Sequence, residues 1–229
     1  MDDDRKHSHP RRDCKLVKIL RGGLFCRSCK EHSNRVARPH PALDRPGAAT
    51  KLRARSLMKL TRCDASFSDQ VLAIFNEAIL NSTALYDYRP RNTKSMVSWF
   101  ENKRKGNFPI IGAVDEAGEL FGFASYGTFR AWPAYKYSVE HSIYVAAAHR
   151  GKDLGKLLLQ EVINSARGQN YHVIIGGIDS QNAASIHLHQ RFGFQHAGTL
   201  RQVGFKFGRW LDLDFYQLIL DTPSQPIDG

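Results

Sequence analysis

No run of about 18 apolar residues occurs anywhere in this chain of 229, so a helix spanning a bilayer is excluded on length. Cysteine is scarce as well: Cys14, Cys26, Cys29 and Cys63 are the only four. That is too few for a disulfide-stapled domain, and it suits a reducing compartment, the cytoplasm. Cys26 and Cys29 stand three positions apart with Cys14 and His32 near them, but no second paired-ligand motif follows, so no metal site is assigned. Charge is out of balance at one end only. Residues 1–57, a quarter of the chain, hold 15 of the 33 Lys and Arg against 6 of the 22 Asp and Glu. Most of the +11 net charge therefore belongs to that segment, and residues 58–229 are close to neutral. The basic segment lacks interleaved aromatics and periodic apolar positions, so it reads as a disordered extension and not as a nucleic-acid-binding arm. Its acidic opening, Met1-Asp2-Asp3-Asp4, and the short apolar stretch that follows fit neither a signal peptide nor a transit peptide.

From Met58 the pattern changes to short strands alternating with amphipathic helices, as in a mixed α/β domain over residues 58–222 followed by a tail at 223–229. Strands are predicted at Met58 to Arg62, Pro109 to Val114, Leu120 to Tyr126, Ser138 to Val145 and Tyr171 to Ile178. Phe194 to Val203 and Asp212 to Leu220 form a closing antiparallel pair. Helices are predicted at Ser68 to Leu80, Thr93 to Arg104, Leu154 to Arg167 and Asn182 to Arg191. The third of these carries a Leu157, Leu158, Val162 stripe. Asp115 to Glu119 reads as a hairpin turn.

Arg150-Gly151-Lys152-Asp153-Leu154-Gly155-Lys156 joins a strand to a helix start. A phosphate needs converging backbone N–H donors, and such a turn supplies them with the positive end of the helix dipole. Gly151 and Gly155 remove side chains that would block the approach, while Arg150, Lys152 and Lys156 add charge. The alternative is an ordinary basic strand-to-helix loop.

Around this turn the sequence resembles the GNAT superfamily of N-acetyltransferases, whose signature runs strand, Gln/Arg-x-x-Gly-x-Gly/Ala, helix, apolar strand, and a second helix ending in Gly-Phe. Arg150 and Gly155 match that signature, and Asp153 departs from it at the first glycine. Asn182-Ala183-Ala184-Ser185 opens the second helix and Phe192-Gly193-Phe194 ends it. Tyr126-Gly127-x-x-Arg130, Val139 to Val145 and Gly204-Phe205-Lys206-x-Gly208-x-Trp210 look like the phosphinothricin and methionine sulfoximine acetyltransferase subgroup. The resemblance covers about Met58 to Leu220. It implies a mixed, mostly antiparallel sheet flanked by helices and splayed between the strands at 138–145 and 171–178, a homodimer, and transfer of acetyl from acetyl-CoA to the α-amino group of an amino acid analogue.

By that resemblance the cofactor lies against Ile143, Tyr144 and Val145, the turn from Arg150 through Gly151, Lys152, Asp153, Leu154 and Gly155 to Lys156, and Asn182. The main chain of Ile143 to Val145 is the part implied to matter, so a change of one apolar residue for another at Val145 should be mild. The amine must lose a proton before it attacks, and Glu140 is the implied base; the alternative is a solvent-facing strand Glu in a salt bridge. Arg130, with Ala131, Trp132, His141 and Ser142, falls in the implied substrate region. A guanidinium suits a substrate carboxylate, and Tyr86 and Tyr88 are candidates to close the pocket. His189 occupies the place where many relatives carry a Tyr that reprotonates the thiolate; it is either that acid or a packed helix histidine. Asp153 adds repulsion in a phosphate loop, so replacing it with Gly is expected to tighten cofactor binding. Two other functions fit the general motif: acetylation of a protein N-terminus or lysine, and acyl-CoA sensing with a nucleic-acid-binding tail.

Overall fold

The computed structural model describes residues 58–228. The readings of residues 1–57, including the cysteine pair, lie outside them. Seven strands, β1 (Lys59–Arg62), β2 (Ile110–Val114), β3 (Leu120–Thr128), β4 (Ser138–Val145), β5 (Val173–Asp179), β6 (Gln195–Lys206) and β7 (Arg209–Ile219), form one sheet in the order β1-β2-β3-β4-β5-β7-β6. Four helices accompany them: α1 (Ser68–Asn81), α2 (Thr93–Lys105), α3 (Leu154–Gly168) and α4 (Ala183–Arg191). Every neighbouring pair of strands is antiparallel except β4 and β5.

Local chemistry sets the element ends. Asn92 caps α2 by accepting from the Ser95 amide at 2.9 Å, and Lys103, Arg104 and Lys105 crowd its last turn against the negative end of the dipole. Asn182 caps α4 in the same way, from the Ser185 amide at 3.1 Å. In the β2–β3 turn, Asp115 accepts from the amides of Ala117 at 2.9 Å and Glu119 at 2.8 Å, and Gly118 supplies a φ of 84°. Three short 3₁₀ turns, at Ala65–Phe67, Pro133–Tyr135 and Ala147–His149, lack the periodicity that would announce them.

Side chains alternate across β4. Val139, Ile143 and Val145 join a core with α3, whose buried stripe is Leu154, Leu158, Leu159, Val162, Ile163 and Ala166. Leu157 is only half-buried and Leu159 takes the inner place. Tyr144 instead faces a second core with Val71, Phe75, Met96, Phe100 and Phe123 from α1, α2 and β3. Leucine spacing alone does not settle which of two adjacent residues turns inward; the azimuth of α3 on the sheet does.

The parallel seam places the site. β4 and β5 pair from Ser138 and Val173 only as far as Glu140 and Ile175, while β4 stays registered with β3 to Val145 and β5 with β7 to Asp179. The sheet therefore opens beyond Glu140, between the strands where the splay is expected. No helix among the described residues is long and apolar enough to cross a membrane.

Candidate active site

The phosphate turn leads from β4 into α3. Gly151 has φ 73° and Asp153, the residue before the helix, has φ 61°, a left-handed conformation that costs a side-chain-bearing residue about 1 kcal/mol. The glycine in the family signature is thus explained by backbone geometry. Among the described residues the amides of Gly151, Lys152, Leu154 and Gly155 have no intramolecular acceptor, so they remain for an anion. A cleft there is lined by Val145, His149, Arg150, Gly151, Asp153 to Lys156, Ala184, His187, Leu188 and Arg191. His187 and Arg191 went unread in the sequence; their i, i+4 spacing on α4 is the signal that could have found them. The amides, the glycines and these side chains fit the pyrophosphate of acetyl-CoA.

The cations of this turn are already engaged. Arg150 donates through Nε to the Val145 carbonyl at 3.0 Å and pairs with Glu77 of α1. Lys152 donates to the Ala148 carbonyl at 2.9 Å, and Lys156 pairs with Asp153 at 2.8 Å. Replacing Asp153 with Gly removes a carboxylate from the phosphate site and frees Lys156. The acetyl-CoA dissociation constant is expected to fall about two- to fivefold, the worth of an exposed charge pair; calorimetry returning an unchanged or higher constant would reject this. Asn182 spends its side-chain oxygen capping α4, which positions the helix that borders the cleft.

Glu140 lies on the opposite face of the sheet from α3, at the last pair before the strands part. It is half-buried, and its Oε1 leans over β5, 3.3 Å from where a Cβ on Gly177 would stand. Burial raises its pKa and the nearby Arg130 partly offsets that. Arg130 makes no ion pair with Glu140 among the described residues; it is exposed, its guanidinium over the Phe129 ring at 4.3 Å. Ala131 and Trp132 are exposed beside it. Tyr88 donates to the Phe205 carbonyl at 2.6 Å and the Tyr86 ring packs against Gly204, so both tyrosines rest on the β6–β7 hairpin. Ser142 lies on the Glu140 face.

His141 does not join them. It points to the α3 and α4 side, where it and His189 are 7% and 4% exposed and their Nε2 atoms are 3.1 Å apart. His189 Nδ1 lies 2.7 Å from the Ser185 carbonyl, which only accepts, so Nδ1 carries hydrogen. With both rings neutral, His141 Nε2 then donates to His189 Nε2, and His141 Nδ1 is left as a buried lone pair without a partner. Burial pulls both pKa values down, and for His141 the neighbouring ring adds to it. At neutral pH the Nε2 of His189 is thus an acceptor already taken by His141; the sequence leaves open whether this residue is the thiolate's acid or a packed helix histidine. Nitrogen-15 NMR should show His189 as the Nδ1–H and His141 as the Nε2–H tautomer at neutral pH; a His189 that titrates near 6.5 would overturn this. The unfolded chain takes up protons that the native pair refuses, so stability is lost as pH falls below about 6.5.

Among the described residues no group of three or more His, Cys, Asp or Glu could hold a metal ion.

An L-methionine sulfoximine/L-methionine sulfone acetyltransferase of Pseudomonas aeruginosa is 48% identical over 166 residues, covering 71% of this chain and 96% of that one. A phosphinothricin N-acetyltransferase of Streptomyces coelicolor is 34% identical, covering 63% and 85%. The crystal structure of a GNAT phosphinothricin acetyltransferase from Sinorhizobium meliloti in complex with acetyl-CoA superposes with a TM-score of 0.72 at 32% identity, covering 76% and 95%. The acetyltransferase (GNAT) family model matches residues 76–194, the span that carries the parted strands and the phosphate turn, and this chain belongs to that family.

Proposed function

We propose that this acetyltransferase moves an acetyl group from acetyl-CoA to the α-amino group of a small amino acid analogue, with methionine sulfone, methionine sulfoximine and phosphinothricin as its substrate class. One observation carries the reading. A half-buried carboxylate, Glu140, stands where β4 and β5 part, on the face opposite the phosphate turn, with the charge of Arg130 acting on it. A thioester reaching into the opening from one side would meet an amine delivered from the other. Glu140 takes a proton from the ammonium, the amine nitrogen attacks the carbonyl carbon, the carbon–sulfur bond breaks, and the sulfur takes the second proton of the former ammonium. This sequence balances without an imidazolium, in keeping with the neutral His141–His189 pair. Arg130 favours a free amino acid over a peptide N-terminus, because its charge suits a carboxylate.

A homodimer acting in the cytoplasm completes the proposal. The β6–β7 hairpin exposes Leu200, Val203, Phe205, Phe207 and Trp210, an apolar surface that a second copy would cover. An acetyl-CoA turnover screen over amino acids and their sulfone, sulfoximine and phosphinic analogues tests the reading. Turnover of a peptide N-terminus with failure of every analogue would reject it.

A further inference from the structure

Lys103, near the end of α2, reaches the sheet and donates from Nζ to the Tyr126 carbonyl at 2.7 Å. The Trp99 and Phe108 rings stand 5.4 Å and 5.8 Å from its Nζ. An ammonium has three donors, and one is used. No carboxylate among the described residues pairs with it, whereas the other inward-reaching cations are matched. Arg209 pairs with Asp179 at 2.7 Å, Arg91 with Asp87 at 3.1 Å, and Lys206 donates to three carbonyls.

Its surroundings say where the spare donors point. Gly127 is registered opposite Glu140 on the same sheet face, about 5 Å away across the ladder. A Cβ placed on Gly127 would meet only one heavy atom within 4 Å among the described residues, and that atom is Lys103 Nζ at 3.6 Å. The sheet at Gly127 is therefore open floor, with the ammonium on one flank and the carboxylate on the other. A molecule carrying an amine at one end and a negatively polarised oxygen a few bonds away would satisfy both.

We propose that Lys103 is a specificity-determining residue whose ammonium binds an oxygen of the substrate side chain, sulfone, sulfoximine or phosphinate, while Glu140 faces the amine. The inference rests on the substrate class proposed above. It explains how oxidised sulfur would be told from a plain thioether: a thioether leaves the ammonium unmatched over Gly127, and a sulfonyl oxygen does not. Burial holds this ammonium at about 8, so affinity for an oxidised substrate should decline above that pH in the wild type and persist in Lys103→Arg.

The test is calorimetry on the CoA-saturated protein with three ligands: L-methionine sulfone, L-methionine, and 3-(methylsulfonyl)propylamine, which keeps the sulfone and lacks the carboxylate. Lys103→Met retains the stem over Trp99. It is expected to weaken methionine sulfone and the propylamine about 10- to 100-fold, the range for a hydrogen bond to a charged group, and L-methionine less than about threefold. Lys103→Arg should restore most of the loss, and it is the sparing of L-methionine that a purely structural role for the Tyr126 contact would not predict, since that would weaken all three ligands alike. Loss shared by the two amino acids and spared in the propylamine would overturn the proposal, because the ammonium would then serve the substrate carboxylate. A methionine sulfone affinity unchanged in Lys103→Met, with the wild type binding it, overturns the role of Lys103 alone. A wild type that binds none of the three sinks the substrate class and this occupant with it.

Discussion

Changing Glu140 to Gln is expected to lower kcat by about 10²–10⁴-fold, the usual worth of a positioned general base, with little change in the KM for acetyl-CoA. Glutamine keeps the shape and a hydrogen-bonding oxygen but cannot take the proton. The pH profile gives a second, independent reading. Because burial raises the Glu140 pKa, the wild-type rate should fall on acidification with a midpoint above the ordinary glutamate value of about 4.3. That acid limb should vanish in Glu140→Gln. Arg130 works in the opposite direction on the same carboxyl, so Arg130→Leu should move the limb to higher pH. A Glu140→Gln enzyme that keeps a tenth of the wild-type kcat would show that water or the substrate itself removes the proton.

Lys206→Met should be the most destabilising of the substitutions considered. Lys206 is 5% exposed, and its ammonium donates to the carbonyls of Ile79 at 2.7 Å, Ser82 at 2.9 Å and Leu85 at 2.6 Å. It closes the C-terminal end of α1 and the segment after it. Methionine fills the space but leaves these acceptors without donors, at about 1–3 kcal/mol for each that water cannot reach. If water recovers some, a loss of about 2–4 kcal/mol remains, or roughly 5–15 °C in Tm for a domain of this size. Thermal unfolding followed by circular dichroism measures it. The segment so held carries Tyr86 and Tyr88, which rest on the β6–β7 hairpin, so the KM for the amine should rise in the same variant. A Tm within about 2 °C of wild type would mean that solvent replaces the ammonium fully.

Much of this was legible in the residues. Element order and the phosphate turn follow from apolar periodicity and two glycines, because each is a local property of a short stretch of chain, whereas the parting of β4 from β5 was implied only by the family resemblance. What was hidden depends on distance through space. His141 and His189 are 48 positions apart and meet edge to edge; nothing in either neighbourhood announces the shared proton. Lys103 sits in a basic helix end, Lys103-Arg104-Lys105, where a dipole-complementing charge is the ordinary reading, and only the fold shows one of the three turned onto the sheet. Asp153 was visible as an oddity, but its left-handed φ needed coordinates. Arg150 looked like a phosphate ligand, and its pairing with Glu77 joins residues 73 positions apart.

The short parallel ladder between β4 and β5 also bears on how the molecule deforms. β1 to β4 make one plate and β5, β7 and β6 another, and the backbone bonds joining them stop at Glu140 and Ile175. Past that corner the plates are held by the core on the α3 face and by no ladder, so they form a hinge whose softest motion widens or narrows the gap. Whatever lies in the gap then acts as a tie between the plates, stiffening the sheet when loaded and releasing it when spent. Strain placed on one plate should reach the other mainly through that tie.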